Sequence, residues 1–537
     1  MKKILFSNFS SLMVVLLMLI ALLVRLFGIN FGLPYLYDPD EHLFVDRSLE
    51  MINQSSIDPN WFGVPASTTM YLLAITYIFL FLVGWLLGDY QTMQDFLQTY
   101  QQDPTIFYLS GRIGIVIFAV LSVLLVYLIG RRLFNHRVGL LTALLLALNP
   151  IHIEISRLIR PDIQMTFIIL LVFWFSLNIL SHQKTRDYIL AGFFLGIGIM
   201  SKYPAAVGLS IIFFAHIIIT KNFFKIQSHI KLFQSGLGCL FGIFVSSPLF
   251  FFSPGLVYVG LSIEARSTHL SGTGQGLLSD FLFYIQIIVT HELIFGTIFL
   301  TIGIILLFRS KIPEAIILIG FPLLFLIAIS ILSLRWHRWI IPSIPFILMI
   351  TAYGLSATID YIIKNFNKYV ALVIVIVTLF VTIAPITYSV LLMGTELARP
   401  NTRDIARDWM LANLPANSSI LIEGYSPPIP YGYYNLYGGY GSDLKLLELD
   451  ESNDFRVNWV DGWHIGRIDA DRVINSDVEY FLLTSIYERF LLEADQYPDE
   501  IQNYETLLEN GELIYEIKPI PGYQGGPPIS IYQLTNK

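Results

Sequence analysis

The stretch SLMVVLLMLIALLVRLFGI, residues 11–29, carries a single charge, Arg25, and is long enough to cross the hydrocarbon core of a bilayer as a helix. Past its end comes Tyr37-Asp38-Pro39-Asp40-Glu41-His42, with three carboxylates in four positions. Such a cluster is poor core material, because burying a charge is strongly unfavourable unless it is paired. At the mouth of a membrane bundle it is explained by work: binding a cation, or taking a proton from an acceptor. The plainer reading is a solvated loop with a helix start, where Asp and Pro are common.

The whole chain supports the membrane reading. Its 537 residues are 55% hydrophobic and 14% charged, with a mean hydropathy of +0.64, whereas soluble domains carry about 25% charged residues. Further apolar runs fall near 69–87, 109–130, 138–150, 163–180, 189–219, 236–252, 291–308, 312–333, 340–358 and 369–393. The net charge of −7 is uneven: from Pro400 onward there are 9 Lys and Arg against 22 Asp and Glu, while the rest of the chain is +6. A basic membrane part, 1–395, therefore carries an acidic, more polar part, 396–537, large enough for its own core. Nothing basic enough for nucleic acid is present. The single Cys239 excludes an intrachain disulfide framework. Lys2-Lys3 before a long apolar run, with no small-residue cleavage site, reads as an uncleaved first span.

Basic clusters at Lys2/Lys3, Arg131–Arg137, Lys184–Arg186, Lys221–Lys231, Arg309–Lys311 and Lys364–Lys368 mark the cytoplasmic loops. The acidic loop 30–68 and the segments 151–162 and 254–280 then face outward. Parity constrains the count. If 69–87 crossed fully, the Arg131–Arg137 cluster would lie outside, so 69–87 is expected to be juxtamembrane or re-entrant. For the same reason 189–219 must be two short spans broken at Ser201-Lys202-Tyr203-Pro204, where Pro204 supplies the break. The expectation is about eleven transmembrane helices with the tail outside the cytoplasm.

In the tail, Asn401-Thr402-Arg403-Asp404 reads as a helix cap followed by an amphipathic run to Leu414. Strand-like runs follow at Ser419–Glu423, Tyr480–Thr484, Leu513–Ile517 and Ile529–Gln533, and Tyr425–Gly441 reads as an ordered loop. Helix alternating with strands predicts a small α/β domain. No dinucleotide fingerprint, P-loop, metal-ligand spacing or internal repeat is present.

With the loops so oriented, charges collect on the outer face: Asp38, Asp40 and Glu41; His152, Glu154, Arg157, Arg160 and Asp162; Lys202; and Arg335 and Arg338 of the turn Leu334-Arg335-Trp336-His337-Arg338-Trp339. Ionisable residues at a membrane boundary are functional candidates. Each also has a structural explanation. Arg157 and Arg160 can pair with Glu154 and Asp162, Lys202 can snorkel to headgroups, Arg335 and Arg338 can form salt bridges, and Arg25 suits a loop carboxylate. His269, His291 and Glu292 reach the same face, but nothing in their spacing singles them out. As a set, outward carboxylates facing fixed cations suit a reaction with an anionic leaving group.

The order of these elements resembles the GT-C superfamily of membrane glycosyltransferases. More narrowly, it is similar to the protein O-mannosyltransferases and lipid A aminoarabinose transferases. The resemblance rests on Asp40-Glu41 after the first span, Pro65-Ala66-Ser67-Thr68-Thr69-Met70-Tyr71, Gly130-Arg131-Arg132-Leu133-Phe134 and Ser156-Arg157 through Arg160-Pro161-Asp162. It also rests on Ser201-Lys202-Tyr203, the Arg-aromatic turn before Pro342 and Pro345, and Thr402-Arg403-Asp404 through Leu414-Pro415 in the tail. It spans nearly the whole chain and implies transfer of a sugar from a polyprenyl-phosphate donor to a protein, lipid or glycan hydroxyl, with inversion, at the extracytoplasmic face. Carried over, Asp40 is the general base, Glu41 tunes or orients it, and Asp162 is the second acidic site. Arg338 and Lys202, then Arg157, Arg160 and Arg335, meet the donor phosphate, as developing negative charge requires. No metal is required, although Asp40 and Asp162 could hold a divalent ion if they converge. The tail's likeness to bacterial members implies a bacterial inner membrane.

Two other classes compete. A transporter or lipid-linked sugar flippase also uses broken spans and buried charge, but it usually carries the break in both of two repeated halves, and no second copy is found. A sensor or assembly protein would use the acidic tail to hold a partner.

Overall fold

In a bilayer core an apolar run satisfies its backbone only as a helix or a closed barrel, and the described residues before Pro400 are mainly helical. The computed structural model describes residues 2–220, 224–265, 267–310, 313–430, 432–440, 443–446 and 464–535. Helix α1 (Lys2–Leu26) leads through the acidic loop to α2 (Glu41–Asn53), α3 (Ser67–Leu87) and α4 (Met93–Gln102), and then to α5 (Thr105–Leu133). Helix α6 (His136–Leu148) bends by 56° into α7 (Pro150–Ser156). The bend falls where Pro150 lacks an N–H and Asn149 caps the new helix through the His152 N–H at 3.1 Å. Next come α8 (Pro161–His182), α9 (Thr185–Ser201), α10 (Leu209–Ile219), α11 (Ile230–Ser246), α12 (Leu249–Phe252) and α13 (Pro254–Glu264). The bundle closes with α14 (Leu277–Ser310), α15 (Glu314–Ser330), α16 (Ile344–Asn365) and α17 (Lys368–Ala398).

Among the described residues six helices are long and apolar enough to cross a membrane, eight if each of two bent pairs is one span, and three shorter apolar helices accompany them. The chain is a polytopic helical membrane protein; the figure of eleven goes beyond what length and composition count. The expected break is present: α9 ends at Ser201, Lys202 is extended, and Pro204 opens a 3-10 turn over Tyr203–Gly208. Helices α9 and α11 touch backbone to backbone. A Cβ on Gly196 would lie 2.1 Å from the Cys239 carbonyl, and one on Gly242 would lie 2.1 Å from that of Phe193.

Helix α3 is unbroken, which excludes a re-entrant hairpin. Arg112, near the start of α5, donates to the carbonyls of Ile29 and Phe31 just beyond α1, at 2.7 and 2.9 Å. The end of α1 and the start of α5 therefore share one end of the bundle. Between them α3 is the one helix, among the described residues, apolar enough to cross. A single full crossing would put the start of α5 at the opposite end, so this contact argues against a full crossing by α3.

Helix α18 (Thr402–Asn413) begins the tail at the expected cap, which is a capping box of Asn401 with Asp404. The strands are β1 (Ser419–Leu421), β2 (Asn435–Tyr440), β3 (Asp443–Leu446), β4 (Tyr480–Leu483), β5 (Gly511–Ile517) and β6 (Ile529–Leu534), in the order β3-β2-β1-β4-β6-β5. β1 runs parallel to β2 and β4, and the outer pairings are antiparallel. Tyr425–Gly441 is not all loop, because its end forms β2. Gly438 and Gly439 hide that strand from a reading by side-chain alternation, and pairing with β1 supplies what propensity withholds. Helices α19 (Ala470–Ile474), α20 (Ser485–Leu492) and α21 (Pro498–Glu509) pack against the sheet.

Glu423, fully buried after β1, accepts hydrogen bonds from the Thr484 N–H at 2.6 Å, the Thr484 hydroxyl at 2.9 Å and the Tyr504 hydroxyl at 2.7 Å. Burial outweighs these bonds and pushes its carboxyl up to about 7 from 4.5. The folded tail then holds a proton that the unfolded chain releases, so its stability is full below the unfolded value and falls as pH rises to about 7. Hydrogen exchange of the β1 and β4 amides in the intact protein, corrected for intrinsic rates, should show an opening free energy about 3 kcal/mol lower at pH 8 than at pH 4.5. Glu423→Gln should flatten that slope, and a flat wild-type profile would remove this account of Glu423.

Candidate active site

The acidic motif is a helix start and an ion-pair hub together. Asp38 accepts the N–H groups of Asp40 and Glu41 at 3.0 and 3.2 Å, so its carboxylate caps α2. The same carboxylate takes Arg160 Nη2 at 2.8 Å, while Arg160 Nη1 donates to Asp40 Oδ2. Arg160 immediately precedes α8 in extended backbone, ahead of Pro161, which sets its fork toward the α2 start. Arg338 Nη2 lies 3.5 Å from the same Asp40 oxygen, and Arg338 Nε is buried without an acceptor.

Asp40, Arg160, Asp162, Lys202 and Arg338 line one cavity of about 450 Å³. Asp162 is buried in the first turn of α8 and accepts Lys202 Nζ at 2.7 Å. Lys202 therefore does not snorkel to headgroups: the break after α9 turns it to a carboxylate. The remaining wall is largely apolar, with Phe44, Trp61, Leu332, Trp336 and Trp339 prominent, and Glu264 adds a further carboxylate. Gly63 and Gly260 let the acidic loop meet α13 at this wall, since a Cβ on Gly260 would lie 2.6 Å from the Gly63 nitrogen. The Arg-aromatic turn is held by backbone bonds from Arg335 N–H to the Gly272 carbonyl and from Gly274 N–H to the Ser333 carbonyl, each 2.8 Å.

Other expected site residues lie elsewhere. Glu41 is fully buried against Arg112, which donates Nε to Oε1 at 2.9 Å and Nη2 to Oε2 at 2.6 Å, and Oε1 also takes the Ile159 N–H at 2.9 Å. Both of its oxygens are engaged away from the cavity. Arg335 pairs with buried Asp280 at 3.1 Å and packs over the Phe283 ring, so it belongs to the structural alternative. Arg157 does not reach this cavity or pair with Glu154; it donates Nη2 to the Val24 carbonyl at 2.6 Å and lines a separate pocket. Nor does Arg160 pair with Glu154 or Asp162, its hydrogen bonds going to Asp38 and Asp40. Arg25 does not meet a loop carboxylate; it donates to the Ala21, Ala147 and Leu146 carbonyls and faces His152 Nδ1 at 2.9 Å. Arg112 fills that role. It was legible as the lone charge inside the apolar run 109–130, whereas Trp61 and Glu264 carry no comparable signal. The Glu292 side chain lies outside the described residues.

Burial pushes the Asp40 carboxyl up, but Arg160 and Arg338 beside it more than offset this and hold it below the ordinary carboxylate value. Asp40 is thus ionised at neutral pH. Among the described residues no three His, Cys, Asp or Glu side chains are grouped to hold a metal. Asp40 and Asp162 each face fixed cations, a poor fit to a divalent ion.

Residues 108–250 match the family described as dolichyl-phosphate-mannose-protein mannosyltransferase. No curated protein matches the sequence. Among solved structures the chain is similar to ArnT from Cupriavidus metallidurans bound to undecaprenyl phosphate, 13% identical over 96% of this chain and 97% of that one, with a TM-score of 0.49. It is also similar to the archaeal oligosaccharyltransferase AglB from Archaeoglobus fulgidus, in complex with an inhibitory peptide and a dolichol-phosphate. That likeness is 14% identity over 94% of this chain and 73% of that one, with a TM-score of 0.52. At these identities the likeness is one of fold: the chain is a polytopic helical membrane protein similar in fold to AglB, and its residues 108–250 resemble the dolichyl-phosphate-mannose-protein mannosyltransferase family.

Proposed function

We propose that this protein is a glycosyltransferase that moves a sugar from a polyprenyl-phosphate donor to an acceptor hydroxyl, with inversion, at the extracytoplasmic face of a bacterial inner membrane. The observation that carries this reading is the single cavity in which the ionised Asp40 stands beside Arg160, Arg338 and Lys202. Its largely apolar wall suits a lipid chain, and its charged end suits a phosphate. The matched family's description and the dolichol-phosphate bound by AglB support a lipid-phosphate donor.

Asp40 takes the proton of the acceptor hydroxyl as that oxygen attacks the anomeric carbon. The bond from that carbon to the phosphate oxygen breaks, and its electron pair leaves with the phosphate, met by Arg338 and Lys202. A carboxylate held by two guanidiniums is a weak base. An incoming phosphate competes for Arg338, whose contact with Asp40 is long at 3.5 Å and whose Nε has no acceptor. Donor binding therefore frees the base it needs. Asp162 positions Lys202, Asp38 positions Arg160, and Glu41 holds the start of α2. No step requires a metal.

The test is transfer of radiolabelled sugar from a panel of polyprenyl-phosphate sugars by the purified protein. Wild type should transfer label from at least one donor. Lys202→Met should lower kcat by about a hundredfold through loss of one phosphate contact. Translocation of labelled lipid with no transfer from any donor would replace this reading with that of a flippase.

A further inference from the structure

A second cavity, of about 340 Å³, lies where the tail meets the bundle. Asp38 lines it while its partner Arg160 lines the Asp40 cavity, so this ion pair stands between the two. The carboxylates around it are engaged. Asp38 holds Arg160 at 2.8 Å, Glu154 faces His337 at 3.3 Å, Glu396 accepts the Gly522 N–H, and Asp404 accepts the Tyr37 hydroxyl and the Asn401 N–H.

The cations have donors to spare. Arg157 is 1% exposed, and its Nε and Nη1 have no acceptor once Nη2 has bonded the Val24 carbonyl. Arg403 is 7% exposed and stacks on the Tyr37 ring at 4.0 Å, with Nε unmatched. Arg399, stacked on Tyr523 at 3.5 Å, leaves Nη1 buried without an acceptor. Guanidinium groups withdrawn from water with unmet donors are unfavourable. Three of them around one cavity present the forked N–H geometry that a phosphate oxyanion accepts.

We propose that this junction cavity is a second anion-binding site, taking a phosphate-class oxyanion held by Arg157 and Arg403 with Arg399 at its rim. Arg157 comes from the bundle, and Arg399 and Arg403 come from the end of α17 and the start of α18. An anion bound there ties the tail to the membrane part. The oxyanion is either free phosphate or a lipid headgroup. The site stands whether or not the protein transfers sugar.

The experiment is hydrogen exchange of the full-length protein over residues 399–404 and 522–527. The protein is held in neutral detergent with inorganic phosphate against chloride at matched ionic strength, and in phosphatidylcholine nanodiscs with and without phosphatidylglycerol. Protection by phosphate assigns the site to a free oxyanion, and protection by phosphatidylglycerol alone assigns it to a headgroup. Either protection should be weakened about tenfold or more in half-saturation by Arg157→Gln and Arg403→Gln. It should be weakened less by Arg399→Gln at the partly buried rim, which spares the fold if the others do not, and kept in Lys202→Gln, which removes a cation of the other cavity. No protection in wild type under any condition, or equal protection in all the arginine variants, would overturn the proposal.

Discussion

Asp40→Asn is expected to lower sugar transfer by about 100- to 10,000-fold, with the protein folded and expressed normally. The substitution preserves shape but removes the charge that accepts the proton. Arg160 stays anchored, because Asp38 still holds Nη2 at 2.8 Å and also caps α2. The loss should fall on kcat, with the donor KM unchanged or lowered, since Arg338 is then released to the phosphate. The neighbouring acid gives the contrast. Asp38 does not line the reaction cavity, so Asp38→Asn should weaken the start of α2 and cost far less activity. Because Asp40 is held below the ordinary carboxylate value, the acidic limb of the wild-type kcat/KM profile should stay flat down to about pH 5. A transfer rate in Asp40→Asn equal to wild type would move the base elsewhere, with Glu264 and Asp162 the remaining carboxylates of the cavity wall.

The second large effect concerns stability. Glu41 and Arg112 are both fully buried and joined by two hydrogen bonds, at 2.9 and 2.6 Å. Removing one partner leaves the other charged and unpaired, at a cost of about 3–5 kcal/mol. Glu41→Gln is therefore expected to lower the thermal unfolding midpoint of the purified protein sharply. Replacing both with residues of similar volume and no charge, Glu41→Leu with Arg112→Met, should recover part of the loss, because no uncompensated charge remains. Activity per folded molecule should fall less than in Asp40→Asn, since Glu41 acts by fixing where α2 begins. A Glu41→Gln protein with unchanged stability and no transfer would place Glu41 in the chemistry instead.

Much of this was written in the residues. Apolar length and the distribution of Lys and Arg were enough to read a polytopic helical chain and to break 189–219 at Lys202. These are one-dimensional quantities, set by bilayer thickness and by the backbone's need for internal hydrogen bonds. The candidate carboxylate and most of the cations around it were legible for the same reason, because charge beside a membrane needs a purpose. Which cation faces which acid was not legible. Asp40 and Glu41 are neighbours in sequence, yet the helical turn between them sends one to Arg160 and Arg338 and the other to Arg112. Arg157 and Arg160, three residues apart, line two different cavities, and of Arg335 and Arg338 only the second lines the Asp40 cavity while the first pairs with Asp280. Ion pairs between distant segments depend on helix rotation and on the angle at each break, which periodicity does not specify. Sequence therefore determined the class of fold and the kinds of charge at its mouth; the packing of helices decided which of those charges share a cavity.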